Sequence, residues 1–560
     1  MEKPEQINND VAVNSADIGG FRDLPRRQVI LTMAAVMLAM FLSSMDSTIV
    51  STAMPRVIAD LGGFSHYTWV TTAYLVTSTA ALPIVGKLTD LYGRKWIYII
   101  GIVIFLVGSA LSGISQNMTE LIIFRAFQGI GGGVMMANAM IVIADLFPPQ
   151  ERGKYMGLIM SVFGLSAVVG PFLGGVLTDQ LNWRWVFYVN IPLGIVAITF
   201  FILFFPKIRP AASTRKFDYM GITTLILAVV PLLLALSWGG SEYPWLSVQV
   251  IGTIVFSAIM TVLFIWAESK AEEPFIPLNL FSNSIFTIAT VAVFFIGFAF
   301  MSVTALIPLF FQGVLGSTAT NSGAFLTPMM LGWVLGSTIS GQIMSRFGGH
   351  YRLHGLVGVA IMGMGLVLLA RMGVNTSHGQ AALAIAILGF GLGSSLPAFT
   401  IAVQNAVKYE IMGVATSTSV FIRAIGGTVG LAVLGSIMTS SFASHMNNTV
   451  SDEVKQVLQP GQLSSMTHNP QVLVSPEAQT QLQAQFNQAG SQGAGLLQQL
   501  MEAMKHALSS ALTEVFLIVL VAAGIALLIT FFLKEIPLKG RTVAKETVSQ
   551  QSEQSDDKNS

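Results

Sequence analysis

The chain has 560 residues, 53% of them hydrophobic and 10% charged, with a mean hydropathy of +0.69 and a net charge of +1. Soluble chains carry about 25% charge, so the composition excludes a water-soluble domain and points to a membrane protein, and the near-zero net charge gives no reason to expect a nucleic-acid partner. There is no cysteine, which excludes disulfides, thiolate metal sites and a cysteine nucleophile.

Residues 1–27 are polar and mixed in charge and read as a cytosolic tail. The apolar stretch that follows is too long for a signal-peptide core, so the first helix is expected to remain as a span. A helix crosses the bilayer core with about 20 apolar residues, because its backbone polar groups must be satisfied within the segment. Fourteen stretches meet that test, near 28–52, 68–86, 97–115, 120–144, 155–178, 185–205, 217–237, 248–267, 284–309, 321–343, 354–371, 380–403, 413–438 and 511–533. The even count puts both termini on one side. One connection, 441–510, is long and rich in Gln and Ser. Its end, GLLQQLMEAMKHALSSAL, has helical periodicity and either runs into the last span or lies along the interface.

Short loops on the terminal side carry thirteen Lys and Arg, among them Lys87, Arg94, Lys95, Arg152, Lys207, Arg209, Arg215 and Lys216; the opposite short loops carry three, Arg56, Arg184 and Arg371. Positive charge marks the cytosolic face, so both termini are expected in the cytosol.

The first span contains AMFLSSMDSTIV, which puts Asp46 in an apolar run with no other charge between Val29 and Arg56. Ionisable groups inside a membrane generally face the protein interior or a cavity. If span 1 runs outward and span 4 inward, Arg125 falls at similar depth, and the two are expected to face a central cavity. Burial disfavours a carboxylate's charge and a nearby arginine favours it; a carboxylate balanced between the two can exchange a proton for a cationic substrate. The bland reading of the pair is a helix-positioning ion contact. Arg423, near the middle of span 13, reads either as charge balance or substrate contact or as helix packing. Glu514, near the outer end of span 14, reads either as a second acidic contact or as an interfacial carboxylate. All seven histidines fall in or beside loops.

After span 2 the chain reads GKLTDLYGRKW (Gly86 to Trp96), and after span 10 it reads GQIMSRFGGHYR (Gly341 to Arg352), read as two cytosolic loops with matched Gly, aliphatic, aromatic and Gly positions. Two such loops in one orientation suggest parallel halves. The expected divisions are a six-helix bundle over 28–206, an inserted pair, spans 7 and 8 with their flanking loops, over 207–283, a second six-helix bundle over 284–533 that includes loop 441–510, and a cytosolic tail over 534–560.

With these motifs in place the chain resembles the major facilitator superfamily, and within it the fourteen-helix drug:proton antiporters. Gly86, Leu88, Asp90, Gly93, Arg94 and Lys95 match the superfamily's loop motif, with Ser345 in the second half where the first has Asp90. RAFQGIGGG supplies Arg125, Gln128, Gly129 and Gly131 of the span 4 motif. GLSAVVGPFLGG (Gly164 to Gly175) is similar to the antiporter motif, WRWVFYVNIPLG (Trp183 to Gly194) to the start of span 6, MDSTIV to the acidic motif of span 1, and Arg423 with Gly426, Gly427 and Gly430 to a span 13 pattern.

The resemblance implies an all-α fold of fourteen membrane helices working by alternating access, with Asp46, Arg125 and Gln128 coupling protons to substrate. It also implies a switch formed by Gly86, Asp90, Gly93, Arg94, Lys95, Asp145 and Arg152, solvated positive charges being the alternative. Gly164, Gly170, Gly174 and Gly175 leave much of one surface of span 5 bare for close packing, and Pro171 removes a helical hydrogen bond. The expected activity is proton-driven export of lipophilic, cationic compounds across a prokaryotic cytoplasmic membrane. Export of an endogenous metabolite, lipid or self-made antibiotic is the alternative, and a non-transporting sensor or scaffold is the third reading. No P-loop occurs, no catalytic or metal cluster is expected, and no cofactor is implied. Each chain carries both halves, so a monomer suffices, and a dimer is left open.

Overall fold

In the computed structural model, residues 24–61, 67–206, 218–240, 242–316, 319–346, 350–458, 476–487 and 493–537 are described. Fourteen long helices run through them: α1 (Arg26–Leu61), α2 (Tyr67–Tyr92), α3 (Arg94–Ile114), α4 (Met118–Leu146), α5 (Pro149–Gln180), α6 (Asn190–Phe204), α7 (Tyr219–Trp238), α8 (Val248–Lys270), α9 (Ser284–Leu309), α10 (Ala319–Arg346), α11 (Tyr351–Ala370), α12 (His378–Ala406), α13 (Met412–Thr449) and α14 (Gly493–Phe531). A short helix, Trp185–Tyr188, precedes α6. There is no strand among the described residues beyond one isolated bridge, Gly239 with Tyr243.

Thirteen helices among the described residues are long and apolar enough to cross a membrane. The remaining predicted span, 321–343, is α10, whose 28 residues reach about 40 Å but which lies outside that group of thirteen. Local chemistry sets several starts. Asn117 accepts the Glu120 N–H at the head of α4, Asn283 caps α9, and Ser377 with Gln380 forms a capping box on α12. Such caps satisfy N–H groups that a helix leaves orphaned.

Helix pairing repeats along the chain. In the first half α1 packs on α4, α5 and α6, α2 on α4, and α3 on α4 and α6. Eight helices later α9 packs on α12, α13 and α14, α10 on α12, and α11 on α12 and α14. Two contacts join the halves most extensively, α5 with α10 and α2 with α13, and the same eight-helix offset relates one to the other. Helices α7 and α8 pack on each other, and α7 also touches α2 and α13. The start of α1 bonds the end of α6 (Gln28 to Phe204 O, 3.1 Å), and the segment after α14 bonds the start of α11 (Tyr351 to Lys534 O, 3.0 Å). That end of the bundle, joined across the halves by Arg152 and Gln404, is called the terminal end here and the opposite one the far end.

Three expectations need correction. The stretch Gly86 to Trp96 is not a loop: α2 continues to Tyr92, α3 starts at Arg94, and only Gly93 is non-helical, with φ 87°. A positive φ of this kind is nearly free for glycine and strained for other residues, so one residue suffices to reverse the chain. In the second motif Gly341 to Arg346 belong to the end of α10 and Tyr351 and Arg352 open α11, with 347–349 outside the described residues. Region 441–510 is not simply a loop but largely helical where described: α13 runs on to Thr449, and Asp452–Val457 and Pro476–Asn487 are short helices, while GLLQQLMEAMKHALSSAL runs into α14, the first of its two expected placements. Most of the tails expected over 1–27 and 534–560 lies outside the described residues, as do Lys207, Arg209, Arg215 and Lys216.

Candidate functional site

Asp46 lies in α1 and is fully buried, at 0% exposure, with Arg125 of α4 at 1%. Arg125 Nη1 donates to Asp46 Oδ2 at 2.6 Å and to Gln128 Oε1 at 2.8 Å. The other carboxylate oxygen, Oδ1, accepts from Gln128 Nε2 (2.9 Å) and from Asn190 Nδ2 (2.8 Å). The guanidinium stacks over the Tyr74 ring of α2, 4.4 Å from its centroid, an attraction that grows when both partners are desolvated. Three donors converge on the carboxylate, a set that satisfies its ionised form, since an ionised carboxylate only accepts. Protonation would remove the charge that Arg125 faces and weaken that contact.

The sequence motif before α6 explains how Asn190 arrives. Trp183 and Arg184 both donate to Asp60 Oδ2 at the end of α1 (2.9 and 2.8 Å), and Arg184 also reaches Ser115 O after α3. These bonds, Trp183 first, hold the Asp60 carboxyl below the ordinary carboxylate range. Ser109 of α3 donates to Phe187 O and accepts from Asn190. Asn190, Ser109 and Tyr74 were not singled out by sequence reasoning; the available signal was an amide opening an otherwise apolar helix. Nor is the pair placed as expected relative to a cavity: every donor to Asp46 comes from the first half, and in this state the carboxylate is enclosed there.

A second cluster sits at the terminal end. Arg94 Nη2 meets Asp90 Oδ1 at 2.7 Å, and its Nε donates to Asp145 Oδ2 at 2.9 Å. Asp90 Oδ2 accepts the backbone N–H of Val414, in the first turn of α13 (3.2 Å), across the boundary between the halves. A carboxylate is favoured at a helix N-terminus, where N–H groups are orphaned and the dipole is positive. Arg152, also expected in the switch, reaches across the boundary as well. It donates to Phe147 O and Ala144 O at the end of α4 and, across the halves, to Gln404 Oε1 on α12 (3.1 Å). Lys95 donates to Ile202 O and Phe205 O at the end of α6.

The glycines of α5 serve different faces rather than one. Gly153 and Gly157 face α10: a Cβ on Gly341 would lie 2.2 Å from Gly153 O, and one on Gly157 would lie 2.9 Å from Thr338 Cα. Gly164 looks toward Val334 of α10, whereas Gly170 and Gly174 pack on Thr48 and Thr52 of α1, and Gly175 faces open space. Pro171 lies inside the helix. Gly86 of α2 abuts Ser417 and Gly413 of α13. These approaches and the bonds of Asp90 and Arg152 close the terminal end of the boundary between the halves.

Two further expected residues stand apart. Arg423 of α13 is half-buried against Gly297 of α9 and has no ion pair or hydrogen bond among the described residues. Glu514 of α14 is exposed, accepts from Ser441, and lies 2.9 Å from His445 Nε2, both on the far extension of α13.

The family described as Major Facilitator Superfamily matches residues 36–218 and 219–431. The chain is 41% identical over 525 residues to multidrug transporter protein MdtP of Bacillus subtilis (strain 168), covering 91% of this chain and 94% of that protein. It is 38% identical to multidrug resistance protein 3 of the same organism, with 90% and 95% covered. Among solved structures, the human organic anion transporter MFSD10 (TETRAN) superposes with a TM-score of 0.58 at 12% identity, over 89% of this chain and 100% of that one, a likeness of fold.

Proposed function

The chain belongs to the Major Facilitator Superfamily, whose members are carriers rather than enzymes, and from that premise we propose that it exports lipophilic, cationic drugs in exchange for protons by alternating access. The observation that carries the reading is the enclosed contact of Asp46 with Arg125, Gln128 and Asn190. A buried charge left without its partner is costly, so a proton that neutralises Asp46 changes what Arg125 must pair with. That gives the carrier two arrangements whose balance follows the proton. The multidrug names of the two Bacillus relatives support drugs as the cargo. The terminal end is taken as cytosolic, and its closed contacts then correspond to a state sealed from the cytosol. The membrane is the bacterial cell membrane, and one chain, holding both halves, is sufficient for transport.

The test is ethidium movement in cells or inside-out vesicles under an imposed proton gradient of either sign. Wild type should move the dye uphill only when protons flow the other way, and Asp46→Asn should lose that movement while still reaching the membrane. Uphill movement by Asp46→Asn at the wild-type rate would remove Asp46 from the coupling role.

A further inference from the structure

Helices α2 and α13 meet closely at the terminal end, at Gly86 and Ser417, and toward the far end a cavity lies between them. It measures 350 Å³ and is walled by Thr72 and Val76 of α2, Leu233 and Ser237 of α7, and Leu431 and Gly435 of α13. The first half, the inserted pair and the second half each give one wall. Without α7 this seam between the halves would open sideways to lipid. The turn after α7 roofs it: Gly240, with φ 77°, reverses the chain, and Trp245 lies over Gly239 and Gly240 and donates to Ser436 Oγ on α13 at 3.0 Å. At the rim Trp69 donates to Glu242 (2.7 Å) and packs on Trp238.

We propose that α7 and α8 seal this seam, and that the cavity they complete binds the uncharged, lipophilic body of the exported compound as it leaves toward the far membrane leaflet. The proposal rests on the export reading above and goes beyond it by giving the inserted pair a role. The lining chemistry selects the ligand. No charged side chain lines the cavity among the described residues, and aliphatic walls carrying hydroxyls suit an apolar body with a few hydrogen-bonding atoms. The volume falls in the range of about 300–1,000 Å³ common for small-molecule sites. Trp245, lying over Gly239 and Gly240 and bonded to Ser436, covers one end of the cavity, which favours a compact lipophile over a two-chain membrane lipid.

The test uses the absence of native cysteine. A Cβ on Gly435 would meet no atom within 4 Å, so substitutions there project into the cavity without a backbone clash. Gly435→Cys in membranes is labelled with N-phenylmaleimide with and without Nile red, a neutral lipophilic dye, and Nile red efflux is measured for the parent, Gly435→Phe and Gly252→Phe. Gly252 lies on an exposed face of α8 with the same free space. Expected are at least threefold slower labelling with Nile red and about tenfold lower efflux in Gly435→Phe, with Gly252→Phe at the parent rate. Labelling unaffected by the dye in a chain that still exports would overturn the site and leave the export reading standing. Protection by the dye with full efflux in Gly435→Phe would place the site off the route and also overturn the proposal. Protection in a chain that exports neither Nile red nor ethidium would keep the site and sink the export reading instead.

Discussion

Asp46 and Arg125 act as one unit, because neither side chain has solvent to fall back on. Removing one partner of a buried pair typically costs about 3–5 kcal/mol, since the other charge stays behind. Geometry adds to charge here: one Arg125 nitrogen serves both Asp46 and Gln128 while the guanidinium plane stacks on Tyr74. A lysine ammonium is a point charge without that planar fork. Arg125→Lys is therefore expected to cut uphill dye efflux at least tenfold at normal membrane levels, and a parent-like rate would mean that positive charge alone suffices. Asn190 is the other test at this scale. Hydrogen bonds to charged groups contribute about 1.5–3 kcal/mol, so Asn190→Ala should lower initial efflux by roughly tenfold or more. If it exports normally, the amide serves only to seat α6 on Ser109. Asp46 was visible in the sequence because a lone carboxylate stands out in an apolar run. Asn190 was not, because an amide at a helix start is read first as a local cap, and only packing reveals that it reaches α1.

At the scale of elements, glycine spacing in α5 decides which neighbour can approach. Gly153 and Gly157 lie under α10, and Gly170 and Gly174 under α1, so the same helix has a fixed contact within its half and another across the boundary. Sequence showed a small-residue helix but not the two faces, since assigning a face requires knowing which helices are neighbours. The cross-boundary face belongs to the terminal end, which alternating access must open. A side chain at Gly341 would collide with the Gly153 carbonyl, and backbone cannot step aside as a side chain can. Gly341→Leu is expected to hold the terminal end open and abolish efflux. With no other cysteine present, Ser417→Cys, fully buried at the α2 contact, should react with a hydrophilic maleimide from the terminal side in the Gly341→Leu background and stay protected in the parent. Equal protection in both would mean that α5 and α10 need not part from α2 and α13 together.

At the scale of the molecule, hydropathy exposed the segments and paired motifs suggested two halves, because both signals are carried by local sequence. How the halves meet was not legible, since their contacts depend on glycines whose partners lie far along the chain. The eight-helix offset that relates pairings within each half also relates the two main contacts between them, α5 with α10 and α2 with α13. Motion of one half against the other has to release both, but they are not equivalent chemically: Asp90 caps α13, whereas its counterpart Ser345 bonds, among the described residues, Gln342 O within its own helix. The α5 and α10 contact instead combines close backbone approach with side-chain packing such as Phe163 on Trp333, and it can be locked covalently. A Cβ on Gly157 would lie 2.9 Å from Thr338 Cα, so a Gly157→Cys, Thr338→Cys pair can be joined by a disulfide once the two helices give by the few tenths of an ångström that the added Cβ demands. Oxidation should stop efflux by fixing the terminal end closed, and reductant should restore it, with each single variant insensitive to oxidant. Efflux that persists in the fully cross-linked protein would show that this end never opens during the cycle, and the two-state reading of the halves would have to be abandoned.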